Sequence, residues 1–352
     1  MSEYNETYAE MLQGKTVLIT GGTGSFGKNF ARFLLDTYDI KKLIIFSRDE
    51  LKQFEMQRHF IDERVRFFIG DVRDLPRLQR AFKGVDIVVH AAALKQVPAM
   101  EYNPHEAIKT NIGGSQNVVE AAIDQGVEKL LLISTDKAAQ PVNLYGATKL
   151  CAEKLFIASN AYSDSTRISA VRYGNVIGSR GSIIEYILRN RDAKEVSITH
   201  PEMSRFWITL PQTFELVLFA LSNMEGGELY VPRVPSMTVK AMFDALTPQA
   251  TQNIIGIRPG EKLHEILLTS QEARRGYDLG NYFVTLPEFT FVGKDHSKYK
   301  ELGQSLDDYY EFTSDTNEAW LSGEDLVALI ENHIILWFPT ASKKSITTIL
   351  RP

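Results

Sequence analysis

The chain is poor in several features whose absence is informative. A single cysteine, Cys151, in 352 residues excludes an internal disulfide and fits a reducing cytoplasm. Its expected place is a small buried position on the helix after Lys149. No apolar run approaches the roughly 20 residues that cross a bilayer. The most apolar stretch is Ile334 to Phe338, so no membrane contact beyond an indirect one is expected. The opening MSEYNETYAEMLQGK has neither a basic n-region nor an apolar h-region, and no export signal is expected. Positive charge is not in excess: 39 Lys and Arg against 44 Asp and Glu give a formal net charge of -5, with no general attraction to nucleic acid. The 7 histidines include no pair at ligand spacing, and His264-Glu265 lacks the second histidine of a zinc helix, so no metal is expected. The absence of a Gly-x-Ser-x-Gly elbow argues against an α/β hydrolase. Nothing repeats, and no segment is of low complexity. What remains, 44% hydrophobic and 24% charged, is an ordinary soluble composition with a substantial core and a small-molecule partner.

The stretch from Ser134 to Lys149, STDKAAQPVNLYGATK, concentrates the chemistry. It follows the apolar run Leu130 to Ile133, which reads as a buried parallel strand, so its polar side chains begin at the strand's carboxyl end, where open α/β sheets bind ligands. Tyr145 and Lys149 fall on one face of the following helix. A cation there favours tyrosinate and makes Tyr145 a proton acceptor near neutral pH, against an ordinary pKa of about 10. A surface Tyr and Lys on a solvated helix is the alternative, and the rest of the chain decides between them.

Lys15 to Thr20 reads as a strand that runs into Gly21-Gly22-Thr23-Gly24-Ser25-Phe26-Gly27 and then a helix through Leu35. In this arrangement Gly21 makes the tight turn, Gly24 admits a pyrophosphate, and Gly27 lets the helix pack on the strand, with the anion at the helix N-terminus. Thr23, Ser25 and Phe26 belong to the same cofactor turn. The strand Lys42 to Phe46 is followed by Ser47, Arg48 and Asp49. An acid at that strand end would bind the ribose of NAD, whereas Ser47 and Arg48 favour the 2'-phosphate of NADP; Asp49 and a merely solvated Arg48 are the counter-readings. Val65 to Ile69 leads to Gly70, Asp71 and Val72, where Asp71 accepts from the adenine amino group or caps a helix. Val85 to His90 leads to the small Ala91, Ala92 and Ala93, with room for ribose and pyrophosphate, and to Lys95, at the cofactor edge or a plain loop charge.

Tyr102 to Asp124 reads as one long helix with Asn111 in its middle, either solvated or at a kink. Ser169 to Tyr173 is another strand, with Gly174 to Gly178 at the same edge. Six alternating strand and helix units make an α/β doubly wound parallel sheet of Rossmann type. Residues 1–180 form this domain after an N-terminal extension (1–13). Residues 181–340 form mainly a smaller C-terminal α/β domain, with some chain interleaved, and 341–352 form a weakly basic tail. Arg180, Arg205 and Arg258 each lie by a turn, as anchors of a diphosphate would. Arg258 to Lys262 starts a helix with Pro259 at its edge, and Leu321 to Trp337 contains an amphipathic helix.

Thr20 to Gly27 and Tyr145 to Lys149 resemble an extended short-chain dehydrogenase/reductase, a family with a Rossmann domain and a C-terminal nucleotide-sugar domain. Ser47-Arg48-Asp49-Glu50, Phe68 to Asp74, His90 to Lys95, Ser134 to Ala138, Arg172 to Val176, Arg205 to Thr209 and Gly256 to Glu265 resemble, in order, the inverting UDP-N-acetylglucosamine 4,6-dehydratases of bacterial surface-sugar and pseudaminic acid synthesis. Two segments depart from that pattern: Gln96, where the family has a His, and residues 241–254, which look rearranged.

The resemblance implies NADP as cofactor, UDP-N-acetylglucosamine as substrate, and a dimer or larger even homo-oligomer paired through the helices near 102–124 and 145–160. It implies that Tyr145 takes the C4 hydroxyl proton, with Lys149 beside it and Thr135 aligning the hydroxyl. Lys137 would take the C5 proton and Asp136 would protonate the departing C6 hydroxyl, for which Lys137 must be neutral, its pKa depressed by burial and nearby cations. Lys95, Tyr173, Asn175, Arg180, Arg205, Arg258 and Glu261 are implied on the substrate side. A UDP-sugar 4-epimerase, which needs no C5 base, and a catalytically silent dinucleotide-binding sensor are the competing functions.

Overall fold

A computed structural model describes residues 3–179, 182–190 and 192–337. Five-residue runs of Val, Ile, Leu and Phe build the centre, because residues buried on both faces of a parallel sheet need no polar alternation. Strands β1 (Thr16–Thr20), β2 (Lys42–Ser47), β3 (Val65–Ile69), β4 (Ile87–His90), β5 (Lys129–Ile133) and β6 (Arg167–Val171) are linked by helices. After them come β7 (Asn175–Val176), β8 (Glu195–Ile198), β9 (Ser204–Ile208), β10 (Leu229–Pro232), β11 (Ser236–Thr238), β12 (Thr251–Ile254), β13 (Ile266–Leu268), β14 (Gly276–Asp278), β15 (Tyr282–Thr285), β16 (Gln304–Ser305) and β17 (Phe312–Thr313). The main sheet runs β16-β14-β15-β10-β6-β5-β4-β1-β2-β3. From β10 to β3 it is parallel, and strand order reverses between β1 and β4, the switch point of a doubly wound sheet. Strands β14, β15 and β16 add an antiparallel edge supplied by the second half of the chain.

Helix α1 (Glu3–Leu12) buries Tyr8 and Leu12 and packs near a later helix, so the N-terminal extension is partly structured. Helices α2 (Ser25–Thr37), α3 (Glu50–Gln57) and α4 (Leu75–Phe82) follow the first three strands. The expected helix from Tyr102 to Asp124 is divided into α5 (Val97–Tyr102), α6 (Pro104–Ala107), a π-helical turn (Ile108–Gly113) and α7 (Gly114–Asp124). Pro104 stops continuation from α5, since it offers no N–H and its ring crowds the preceding turn. Helices α8 (Leu144–Ala158), α9 (Ile183–Arg189), α10 (Leu210–Asn223) and α11 (Val239–Leu246) come next. Thr209 and Gln212 start α10 with a reciprocal capping box around Pro211.

Two hydrophobic clusters result. The larger follows the main sheet, and the smaller gathers Ile184, Ile198, Trp207, Met242, Phe243 and Ile330 between β9, α11 and the helix Gly323–Trp337. Residues 241–254, which depart from the family pattern, end α11 and form β12 paired with β8. No helix starts at Arg258: Glu261 N donates to Arg258 O in a single turn, and Gly260 at φ 79° breaks any helical continuation. Cys151 is exposed on α8, which corrects its expected burial; the positions turned inward here are Lys149, Ala152, Glu153 and Phe156. The tail from 338 lies outside the described residues.

His90 ties three elements at the switch point. Its Nδ1 is 2.7 Å from Thr20 Oγ1 on β1 and its Nε2 is 3.2 Å from Ser115 Oγ on α7. Because Ser115 Oγ donates to Asn111 O, the Nε2–H tautomer satisfies every group. Burial pushes this imidazole down to about 3, with Lys149 acting in the same direction. The unfolded chain takes up that proton near 6.5, so stability falls as pH drops from there towards 3. The expected loss from this one group is roughly 4 to 5 kcal/mol. It should be measurable as a steeper acid-side decline in urea-unfolding stability for the wild type than for His90→Gln.

Candidate active site

The carboxyl ends of β1 to β6 open on one cleft of about 960 Å³. Its walls include Gly21, Thr23, Gly24, Ser25, Phe26 and Gly27 after β1, then Ser47 and Arg48 after β2 and Asp71 and Val72 after β3. They continue with Ala91, Ala92, Ala93 and Lys95 after β4, Thr135 and Lys137 after β5, Tyr145 and Lys149 on α8, and Tyr173 and Asn175 after β6. Arg205, Arg258 and Glu261 reach it from the second half of the chain, and Arg180 lies outside the described residues.

The glycine turn is fixed by contact as much as by conformation. Gly21 has φ 67°, and a Cβ there would lie 2.8 Å from the Ala92 backbone, so the turns after β1 and β4 meet at this residue. Gly27 packs α2 directly onto Gly21 and Gly22. At the end of β2, Ser47 Oγ accepts from Gln53 Nε2 at 3.0 Å while Arg48 is largely exposed, 3.7 Å from Asp71. Asp49 is engaged elsewhere: it caps α3 by accepting from Lys52 N at 3.0 Å and pairs with the Lys52 ammonium. Asp71 caps no helix, because Asp74 holds that position on α4; it binds Arg73 at 2.7 Å instead.

Asn111 is buried and not solvated. Its amide exchanges two hydrogen bonds with the Leu94 backbone at 2.8 and 2.9 Å and donates to Thr148 Oγ1 at 3.0 Å. The Ala91–Lys95 segment is thereby fastened to α8, whose Thr148 in turn donates to Tyr145 O at 2.8 Å. Asn111 sits in the π-helical turn, on the face that Ser115, Val118 and Ala122 continue into α7.

Asp136 and Lys137 occupy a short 3₁₀ turn after β5. Asp136 is fully buried; its Oδ1 accepts from Thr135 Oγ1 at 2.9 Å and from Lys137 Nζ at 3.0 Å, and its Oδ2 accepts no hydrogen bond. Lys137 Nζ also lies 3.6 Å from Glu265. Burial lowers the Lys137 pKa, but the carboxylates of Asp136 and Glu265 outweigh it and hold this ammonium above its ordinary range. The expected depression is therefore corrected: the two carboxylates favour the ammonium form, and the cation opposing it is Arg205, not Lys149. Tyr145 is corrected likewise. Burial raises its pKa against the opposing effects of Lys137 and the Thr135 hydroxyl, so it stands as a phenol. Lys149 donates to Ile133 O at 2.8 Å, and burial brings its pKa down to about 8 despite Glu153.

Of the expected basic anchors, Arg205 and Arg258 both line the cleft. Arg205 is buried and spends its guanidinium on the carbonyls of Ser204, Lys262 and Leu263 at 2.6 to 3.2 Å, whereas Arg258 is exposed, 4.0 Å from Glu261. Three acids that sequence reasoning missed complete the surroundings. Glu153 and Glu272 clamp the buried Arg172 at 2.6 to 3.1 Å, joining β6, α8 and the segment after β13. Glu265 faces Lys137. No local pattern marks these acids, apart from the capping box Thr269-x-x-Glu272.

Residues 17–287 match the family model described as polysaccharide biosynthesis protein. Over 331 residues the chain is 49% identical to the inverting UDP-N-acetylglucosamine 4,6-dehydratase of Campylobacter jejuni subsp. jejuni serotype O:2, covering 92% of this chain and 99% of that relative. Over 315 residues it is 42% identical to a UDP-glucose 4-epimerase of Rickettsia bellii, covering 85% and 91%. The solved structure of Pen from Bacillus thuringiensis superposes with a TM-score of 0.84 at 35% identity, over 92% of this chain and 99% of that one.

A Cβ on Gly146 would overlap the Lys137 carbonyl oxygen, so this glycine is what lets α8 approach the Asp136–Lys137 turn. Gly146→Ala should lower unfolding free energy by about 1 to 3 kcal/mol. Gly113→Ala, at a helical position whose nearest neighbour is 4.0 Å away, should be neutral or stabilising by up to about 1 kcal/mol. Denaturant titration of both variants checks the contrast.

Proposed function

The chain belongs to the polysaccharide biosynthesis protein family, and from its site we propose that it dehydrates UDP-N-acetylglucosamine at C4 to C6 with inversion at C5, using NADP. The observation that carries this reading is Lys137, on the same cleft as Tyr145 and Lys149, with its ammonium 3.0 Å from the buried Asp136 carboxylate.

The cleft suits a dinucleotide. The Gly21–Gly27 turn presents backbone N–H groups at the start of α2, and Ser134, on the same cleft, has a buried Oγ with no hydrogen-bond partner among the described residues. NADP is favoured over NAD because Asp49 is committed to capping α3, while Ser47 and the exposed Arg48 remain at the strand end. Bound NADP supplies the hydride acceptor for C4, the hydride donor for C6 and, when oxidised, a positive charge that favours tyrosinate. The smaller hydrophobic cluster belongs to the sugar side in this reading, and β10 and β14 to β16 are the interleaved part.

Protons balance once solvent is counted. Tyr145, brought to tyrosinate beside the oxidised cofactor by loss of its proton to solvent, takes the C4 hydroxyl proton as hydride leaves C4, and the resulting ketone acidifies C5. Lys137 takes the C5 proton; the C6–O bond breaks, and its oxygen leaves as water with a proton from Asp136. Hydride returns to C6, and C5 takes a proton of solvent origin on the opposite face, which balances the proton that Tyr145 gave up to solvent. Lys137 must begin as an amine and Asp136 as an acid. From the resting ammonium and carboxylate, that state needs one proton shift along the existing 3.0 Å hydrogen bond. The same bond returns the captured C5 proton to Asp136, so the pair resets without solvent.

A 4-epimerase is the second reading, favoured by the Rickettsia relative. Purified protein given UDP-N-acetylglucosamine should release a product lighter by one water, with C4 hydride recovered at C6; a mass-neutral C4 epimer would sink the dehydratase reading. Lys137→Ala should slow C5 solvent exchange by about 10²- to 10⁴-fold while NADP stays bound. Arg48→Ala should weaken NADP by about tenfold and leave NAD unchanged in fluorescence titration.

A further inference from the structure

Glu265 lies just ahead of β13 and is 2% exposed. Ser314 grips its backbone on both sides: Glu265 N donates to Ser314 Oγ and Ser314 N donates to Glu265 O, each at 2.9 Å. Its Oε1 lies 3.6 Å from Lys137 Nζ and 3.6 Å from Arg205 Nε, and its Oε2 lies 3.8 Å from Lys262 Nζ. All three separations exceed a hydrogen bond, and Oε2 accepts none among the described residues. The cations cannot simply close on it, because Arg205 is bonded to three carbonyls and Lys262 to Ala139 O. Glu265 is thus a negative charge at fixed range. With Lys137, Arg205 and Lys262 it walls a side chamber of about 260 Å³.

We propose that Glu265 is a positioning residue for the dehydration: its fixed charge decides how far the proton shared by Asp136 and Lys137 rests on the lysine, and so sets the pH range of the C5 step. This rests on the dehydratase reading. Lys137 is faced by Asp136 from its own turn, Tyr145 from α8, Arg205 from β9, Lys262 and Glu265 from the segment ahead of β13, and Lys95 from the turn after β4. Arg172 stands behind Lys262 but is neutralised by Glu153 and Glu272. Of these groups only Asp136 and Glu265 are carboxylates, and Asp136 is itself a party to the transfer. Glu265 is therefore the negative charge that stays put while the proton moves, nearer to its position on Lys137.

A fixed negative charge favours keeping a proton on the pair, and a positive one disfavours it. The full-length, NADP-loaded protein with UDP-N-acetylglucosamine gives the readout: the rate of C5 hydrogen exchange with solvent against pH, scaled to its plateau so that a loss of folded protein does not move it. Glu265→Gln should carry the acid limb to lower pH by about one unit or more. Glu265→Asp, which keeps the charge, should restore the limb to near the wild-type position. Lys262→Met should carry it to higher pH. A limb unmoved in Glu265→Gln, or movement of Glu265→Gln and Lys262→Met in the same direction, overturns the proposal. If Glu265→Gln does not fold, Lys262→Met alone supports it by an upward shift and overturns it by none. A wild-type protein that releases no water defeats the underlying reading instead, whatever the variants do.

Discussion

Lys137 carries its charge between a carboxylate from its own turn and another from residue 265, and much of the surrounding chain serves to keep that group of charges together away from water. Removing ions from solvent costs several kcal/mol each, and the cost is recovered only where partners stand in good geometry. The partners here come from distant parts of the chain. Glu265 is held by Ser314, Arg205 by the carbonyls of 262 and 263, and Lys137 by a turn that α8 can approach because residue 146 has no side chain. Arg172 with Glu153 and Glu272 repeats the device nearby and joins α8 to the segment after β13. The two halves of the molecule are thus connected by paired charge as well as by the strands they share.

The parts legible in the sequence were those governed by local rules. The apolar runs at 16–20, 42–47, 65–69, 87–90, 129–133 and 167–171 are the six strands, and once the sheet is parallel its geometry brings every strand-end residue to one edge. The placing of Gly21, Ser47, Asp71, Ala91, Thr135 and Tyr173 around a single cleft follows from that geometry. Glu265 was not legible, because its importance lies in a distance to residue 137 that no nearby pattern encodes. Protonation states failed for a related reason: Tyr145 and Lys137 each sum burial against several charges, and adjacency to a single lysine or aspartate does not give the sign of that sum.

Smaller departures have equally specific causes. Pro259 resembled a helix start, but Gly260 at positive φ makes a turn that brings Asn143 Nδ2 within 2.7 Å of its own carbonyl. Cys151 lies in a mostly apolar helix, yet its position in the helical period turns it outward.

The π-helical turn at 108–113 has a consequence for how insertions and deletions would be felt. Such a turn holds one residue more than the α-helical path between the same ends, and one residue is worth about 100° of rotation. Residues 104–107 and 114–124 therefore belong to two angular frames, and Asn111, four residues before Ser115, lies on the face that Ser115, Val118 and Ala122 bury. Losing one residue between Ala107 and Asn111 would rotate residues 104–107 by about 100° against that face. The segments on either side of the turn are thus held in register by one surplus residue, at a place where the chain tolerates substitution more readily than a change of length.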